Sequence, residues 1–347
     1  MRKLAAAAIA VMVCLVSAGC EFSGRPAAAR ETAPARIPAG QLTLAAARQA
    51  AAGWLARCDT LGQQDEPAAA GELMTGEALQ AMVVNGGDCD VPTSVPRDQS
   101  FFVPIQAGYP RWFVQTARFP GQLFSTYLLA VLVQAASRQP WKAALLATTP
   151  GSDIYRPLSE IARDSQGYAT AVALSDPAVA IAPDRLAAIW ASLYNQGVAA
   201  ANASQLIRPN DIAVYRGLQD DAVRDGPGHG FRESARQTPG SWPLYALALP
   251  GGGAEVLFTT VNTMKYLATS AATITSNFDL DSGVPEPPWT FAHNFTVPAG
   301  TRMSETTTYE LVAIDPARGK GTAEVFWADQ DETGFSPGSE YAATHGR

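Results

Sequence analysis

The residues of this chain with most chemistry to offer are four cysteines and three histidines, and their positions sort them. Cys20 follows Met1-Arg2-Lys3, an apolar stretch from Leu4 to Val16, and the small residues Ser17-Ala18-Gly19. A charged start, an apolar run of that length and a small-residue cleavage site make an export signal. A cysteine directly after the cleavage site marks a lipid-modified N-terminus. Its thiol takes a diacylglycerol, and cleavage before Cys20 leaves the lipid at the new end of the chain. The sixteen residues from Leu4 to Gly19 fall short of the roughly 20 apolar residues that a spanning helix needs. Cys14 leaves with the signal, so Cys58 and Cys89 remain as a pair in an oxidising compartment, where a disulfide is expected. Closing a loop of 31 residues stabilises by about 3 to 4 kcal/mol on the chain-entropy view.

The histidines, His229, His293 and His345, lie far from the cysteines, so no metal set is expected. Asn277, Asp279 and Asp281 alternate like the opening of a calcium loop. Ser282, however, stands where such a loop needs glycine and Pro288 where it needs a bidentate acid, so a solvated turn is expected. Gly226-Pro227-Gly228-His229-Gly230, preceded by Asp220, Asp221 and Asp225, sets an imidazole beside carboxylates, a pairing that suits a general base. The plainer reading is a flexible surface loop with an incidental histidine. His293 is expected on a strand, either half-buried and hydrogen-bonded or facing a cavity. The chain has no Gly-x-Ser-x-Gly elbow, no Ser-x-x-Lys, no His-Glu-x-x-His, no phosphate loop and no Cys-x-x-Cys. No catalytic residue, no metal and no cofactor is therefore expected. The aromatics Trp112, Tyr127, Trp141, Trp242, Tyr245 and Phe258 read first as core. Where Trp112, Tyr127, Trp242 and Tyr245, with His293, line a cleft instead, its apolar walls suit a small hydrophobic ligand.

Composition narrows the partners. Hydrophobic residues make up 47% and charged residues 16%, a globular balance. Without Arg2 and Lys3 the chain carries 23 basic against 32 acidic residues, and no run of basic residues follows Lys3. Nucleic acid and anionic-lipid binding both draw on clustered positive charge, so both are discounted as partners.

The elements that must position these side chains fall in two sets. Residues 20–41 are Gly, Pro, Ala and Arg with almost no large apolar side chain. As a flexible tether they hold the folded part roughly 25 Å from a bilayer. Thr43 reads as an N-cap for a helix with Leu44, Ala47, Ala51, Trp54, Leu55 and Cys58 on one face. A shorter helix over Ala78–Val84 places Leu79, Met82 and Val83 inward and stops at Asn85-Gly86-Gly87. Strands follow at Phe101–Pro104, Arg111–Phe119, Tyr127–Gln134 and Trp141–Thr148. The unbroken run Leu128–Val133 predicts a central strand covered on both faces. Residues 163–169 predict a tight turn and Ser175–Ala182 a linker. A helix capped by Ala182 or Asp184 then buries Leu186, Ile189, Trp190 and Leu193 and ends at Gly197. A β-meander closes the fold with Glu255–Val261, Thr290–Val297, Thr306–Ile314 and Gly321–Trp327, and the acidic tail from Asp329 is expected to fray.

A repeat runs through these sets. Trp112, Pro120 and Gly121 recur as Trp242, Pro250 and Gly251 at a constant offset of 130, each followed by an apolar strand. The order of helix, short helices and long antiparallel sheet, with Gly71–Leu79 before the sheet and Pro140-Trp141-Lys142 opening its last strand, resembles NTF2-like domains. Through Arg111-Trp112-Phe113, Trp141-Lys142 and Asp164–Val172 followed by the Asp184 helix, the chain also resembles a family of uncharacterised actinobacterial lipoproteins defined as a domain of unknown function. That resemblance implies an envelope location and no catalytic residue.

The expected architecture is α+β: a lipoprotein signal peptide (1–19), a flexible tether (20–41), two tandem NTF2-like halves of helix plus curved antiparallel sheet (42–174 and 175–330), and a frayed tail (331–347). The two sheets are expected to meet face to face as a pseudo-dimer within one chain. The expected role is a non-enzymatic binding or scaffolding module, lipid-anchored on the extracytoplasmic face of the cell membrane. Its expected partners are the membrane, through the N-terminal lipid, and a small hydrophobic ligand or an envelope protein. The alternatives are a small NTF2-like hydrolase or isomerase with His293 or His229 as base, and a purely structural envelope-assembly partner.

Overall fold

A computed structural model describes residues 41–61, 67–84, 89, 91–92, 94–121, 125–150, 160–197, 200, 202–206, 231–269, 272–274, 295–297 and 299–337. The signal, Cys20, the tether, the three histidines and the Asn277–Pro288 stretch lie outside these residues.

Thr43 does cap the first helix, α1 (Leu44–Leu61): its Oγ1 accepts the Ala46 N–H at 3.1 Å. The three-and-four spacing seen in the sequence buries Ala47, Ala51, Trp54 and Cys58 along one stripe. Two short helices, α2 (Pro67–Leu73) and α3 (Gly76–Val84), pack beside it. The Trp54 indole N–H donates to the Leu73 carbonyl at 3.0 Å, which satisfies the one polar atom of a fully buried ring and ties α1 to α2. Cys58, on the buried stripe, is disulfide-bonded to Cys89, with Cα atoms 5.7 Å apart.

Strands β1 (Arg97–Phe102), β2 (Arg111–Phe119), β3 (Thr126–Gln134) and β4 (Lys142–Pro150) form one antiparallel sheet in sequential order. The apolar run in β3 is a strand, and each of its faces meets a different core. Leu128, Ala130 and Leu132 face the helices together with Phe113, Ala117 and Phe119 of β2. Leu129, Val131 and Val133 face the other way with Trp112 and Val114.

The second set begins with α4 (Pro183–Gln196), which starts after Ala182, ends at Gly197 (φ +61°) and buries Leu186, Ile189, Trp190 and Leu193. Its sheet comprises β5 (Phe231–Pro239), β6 (Tyr245–Ala248), β7 (Ala254–Ala268), β10 (Arg302–Asp315) and β11 (Glu324–Pro337), in the order β11-β10-β7-β5 with β6 also paired to β7. A two-stranded ribbon, β8 (Ala272–Ile274) with β9 (Phe295–Val297), lies outside that order. Ala254, Val256 and Phe258 of β7 and Tyr309, Leu311 and Ala313 of β10 face α4. Leu257, Val312, Tyr245 and Leu247 face the first sheet. The described chain from Gln41 onward is thus one compact unit of four layers: helices, sheet, sheet, helix.

Three details differ from the sequence reading. The 130-residue offset lays β2 over β6, yet β2 is an inner strand while β6 continues the line of β5 along one edge of β7. Pro243 has no N–H for the ladder, so the second copy turns into a strand only at Tyr245 and takes a different place in its sheet. β5 escapes the sequence reading because Arg232, Ser234, Ala235 and Arg236 are exposed and give the strand no apolar period. β11 runs on to Pro337 instead of fraying from Asp329, because β10 extends back to Arg302 and its backbone pairs Met303 with Pro337. A hydrogen-bond ladder recruits main chain whatever the side chains are.

Glycine separates tight from open positions. A Cβ at Gly240 would lie 2.1 Å from Thr259 Oγ1 and 2.9 Å from the Thr259 carbonyl oxygen, whereas one at Gly53, inside α1, meets nothing within 4 Å. Gly240→Ala is therefore expected to destabilise by about 1 to 3 kcal/mol. Gly53→Ala is expected to stabilise by about 0.5 to 1 kcal/mol through helix propensity. Urea unfolding of the two variants checks the opposite signs.

Candidate functional site

The aromatic residues expected to line a cleft are separated by the fold. Trp112 and Tyr245 meet across the two sheets, ring centroids 5.0 Å apart at 57°. They fill the seam, and burial pushes the Tyr245 phenol well above its ordinary value. Trp242 lies elsewhere, wedged against backbone: Cβ atoms built at Gly76 and Gly240 would sit 3.2 and 3.0 Å from its ring. Tyr127 pairs with Arg118 at the far end of β3, six residues from the Val133 that opposes Trp112, or about 20 Å at the strand rise. His293 lies outside the described residues. Of these side chains, Trp112 and Tyr245 contact each other. Trp141, half-buried, packs edge-on against Phe113 at 5.1 Å in the helix-side core, where Arg57 Nη2 donates to its carbonyl at 2.7 Å.

The informative polar residues are ones the sequence reading missed. Glu255 is fully buried on the seam face of β7, in phase with Leu257 and opposite Leu247 and Ile314, and among the described residues neither carboxyl oxygen has a hydrogen-bond partner. Burial, reinforced by the charge of Glu160, pushes its pKa up to about 8, so it is largely protonated at neutral pH. Asp315 is also buried, and both its oxygens accept the Ile181 N–H at 3.2 Å. Burial raises its pKa to about 7 against the lowering pull of that N–H.

These two carboxyls sit one residue apart in register, Glu255 opposite Ile314 and Asp315 opposite Ala254. They nevertheless lie on opposite faces of the sheet, because alternate residues of a strand point to opposite sides. Glu255 joins the seam and Asp315 the α4 side. They cannot act on one substrate as an acid and base.

Amides occupy the two helix-facing surfaces. Gln115 is fully buried beside Phe113 and Ala117, with neither side-chain polar atom hydrogen-bonded. On the second sheet, Gln237 Nε2 donates to Thr260 Oγ1 at 2.8 Å. Gln237 is also gripped through its backbone, its N–H donating to Asn195 Oδ1 at 2.8 Å and its carbonyl accepting from Asn195 Nδ2 at 2.7 Å. Gln237 Oε1 and Asn262 Oδ1, cross-strand neighbours, lack donors. The sequence signal for Gln115 and Glu255 was present: each sits in phase with apolar positions of its strand, where a solvated residue does not belong. Among the described residues no group of three His, Cys, Asp or Glu side chains is arranged to hold a metal ion.

A family model described as Domain of unknown function (DUF8094) matches residues 85–323. A protein of Streptomyces avermitilis named "Uncharacterized lipoprotein" is 25% identical over 191 residues, which are 55% of this chain and 54% of that protein. The chain thus matches about half the length of that relative. No solved structure matches.

The raised pKa of Glu255 fixes the sign of a pH effect. Below about pH 4.5 folded and unfolded chains both hold the proton, and the group's contribution to stability is complete. As pH rises toward about 8 the unfolded chain releases its proton first, and that contribution is lost at up to about 1.4 kcal/mol per pH unit. Asp315 adds a loss of the same sign toward about pH 7. Glu255→Gln removes the first titration, so its stability in urea is expected to gain on that of the wild type steadily between about pH 5 and pH 8. A constant difference across that range contradicts the assignment.

Proposed function

Because this chain belongs to the family defined by the domain of unknown function DUF8094, we propose that it is a lipid-anchored module on the extracytoplasmic face of the cell membrane, where it scaffolds an envelope partner without catalysis. The observation that carries the non-catalytic reading is the division of the two perturbed carboxyls between opposite faces of one sheet. Enzyme sites gather such groups in a shared cleft. Here each is folded into a separate packing layer. The aromatic candidates support the same reading, since Trp112 and Tyr245 are used to join the sheets and Trp242 to seat α3.

Anchoring is supported by Cys20 behind its apolar leader and by the name of the Streptomyces relative. Among the described residues no helix is long and apolar enough to cross a membrane, which suits a lipid as the attachment. We read each half as NTF2-like, a helical layer on an antiparallel sheet. Their face-to-face seam makes the chain a pseudo-dimer of itself, and a rigid four-layer body of this kind suits presenting an outer surface more than enclosing a ligand.

Metabolic labelling with palmitate is expected to mark the wild-type protein and not Cys20→Ala, and the variant is expected to leave the membrane fraction. An unlabelled wild type, or a variant that fractionates unchanged, contradicts the anchoring.

A further inference from the structure

Among the described residues, two arginines stand without a countercharge at one edge of this acidic protein. The turn Arg163–Ala169 is held closed by the Arg163–Ala169 bridge, by the Asp164 N–H donating to the Tyr168 carbonyl at 2.8 Å, and by Gly167 at φ +86°. It is fastened to the end of β1, where the Ala169 N–H donates to the Val103 carbonyl at 3.0 Å. It also rests on the start of α1: a Cβ at Gly167 would lie 3.2 Å from Leu44 Cδ1. Arg163 from the turn and Arg48 from the first turns of α1 are thereby brought to the same strand end. The Arg163 guanidinium lies 4.4 Å from the Phe102 ring centre and that of Arg48 lies 5.9 Å from Phe101. Those rings are consecutive residues of an edge strand, one turned to the helices and one to the seam.

Among the described residues neither guanidinium has a carboxylate partner, whereas Arg118 is paired with Asp98. The acid next to Arg163, Asp164, turns its Oδ1 into its own loop, accepting the Gln166 and Tyr168 N–H groups at 2.8 and 2.9 Å. Partial burial, with the charge of Arg48 adding to it, holds Arg163 below its ordinary pKa. Two cations carried by a helix and a braced turn, both over rings and both short of an anion among the described residues, leave a ready-made anion site. Guanidinium forks match the oxygens of phosphate.

We infer that Arg48 and Arg163 form a site for a phosphate-class oxyanion, straddling the outer edge of β1. The site lies beside the point where the chain enters the fold. Gln41 is pinned there, its Nε2 donating to the Pro104 carbonyl at 2.9 Å and its Oε1 accepting the Gln106 N–H at 2.7 Å. The oxyanion is supplied by a lipid headgroup or by a free phosphate-bearing solute. The recognition chemistry is the same, and it stands on its own geometry whether or not Cys20 is acylated.

The test is calorimetric titration of the purified mature protein, in neutral detergent, with inorganic phosphate. Saturable binding is expected, and Arg48→Gln or Arg163→Gln is expected to weaken it about tenfold each. Both side chains are exposed, so thermal unfolding should confirm unchanged folds. Arg138→Gln, an exposed arginine in the β3–β4 turn, should leave binding intact. A second arm follows hydrogen exchange of residues 160–169 in vesicles of phosphatidylcholine with and without phosphatidylglycerol. Protection by phosphatidylglycerol that inorganic phosphate competes away supports the site with a headgroup as source, and protection by phosphate alone supports it with a free oxyanion. Absence of saturable phosphate binding, or equal losses in Arg138→Gln, overturns the site.

Discussion

The seam between the two sheets is the constraint from which the rest of this molecule follows. Stacked sheets lie about 10 Å apart, a gap that side chains must fill without water. Here Val114, Leu129, Val131 and Leu145 on one side meet Tyr245, Leu247, Leu257 and Val312 on the other. Where the sheets meet, strands are covered on both faces, by the opposite sheet and by their own helices. A central strand in this position is covered on both faces, and β3 is apolar from Leu128 to Val133. Any acid that points into the seam must hold a proton, as Glu255 does.

The same constraint limits what the protein can do. Trp112 and Tyr245, which might have walled a cleft, are consumed in closing the gap, and the two perturbed acids are divided between opposite faces of one sheet. Chemistry with a partner is left to the periphery. There the edge of β1, braced by the 160–171 segment through Val103 and Ala248, presents the positive charge that the core cannot hold. That segment is hydrogen-bonded to both sheets, the Ala169 N–H to Val103 and the Ala162 N–H to Ala248, so it clasps the seam as well as carrying Arg163.

Much of this was legible in the residues. The Trp54 stripe, the β3 run and the Leu186–Leu193 face are periodic, and periodicity survives folding because burial selects it. The cystine was legible from compartment and count. The failures have equally specific causes. β5 carries mostly exposed polar and charged residues, so no period announced it. β6 carries the right motif but sits in a different sheet position, because Pro243 delays the ladder. Of the aromatics, Tyr245 and Phe258 are buried while Trp112, Tyr127, Trp141 and Trp242 are half-buried, and their grouping is a matter of which strand meets which. Trp112 and Tyr245 are 133 residues apart and touch, whereas Tyr127, far closer to Trp112 in sequence, does not. The unpaired arginines escaped notice because nothing in a sequence says that Asp164 will turn inward to its own backbone.

If the seam makes the two sheets one body, their strands must open together. Native-state hydrogen exchange in graded urea measures this directly on backbone amides of β3 and β7, one from each sheet. A shared opening free energy that converges on the global unfolding value is the expected result. Two separate opening events, with one sheet exchanging while the other remains protected, would contradict a single four-layer unit.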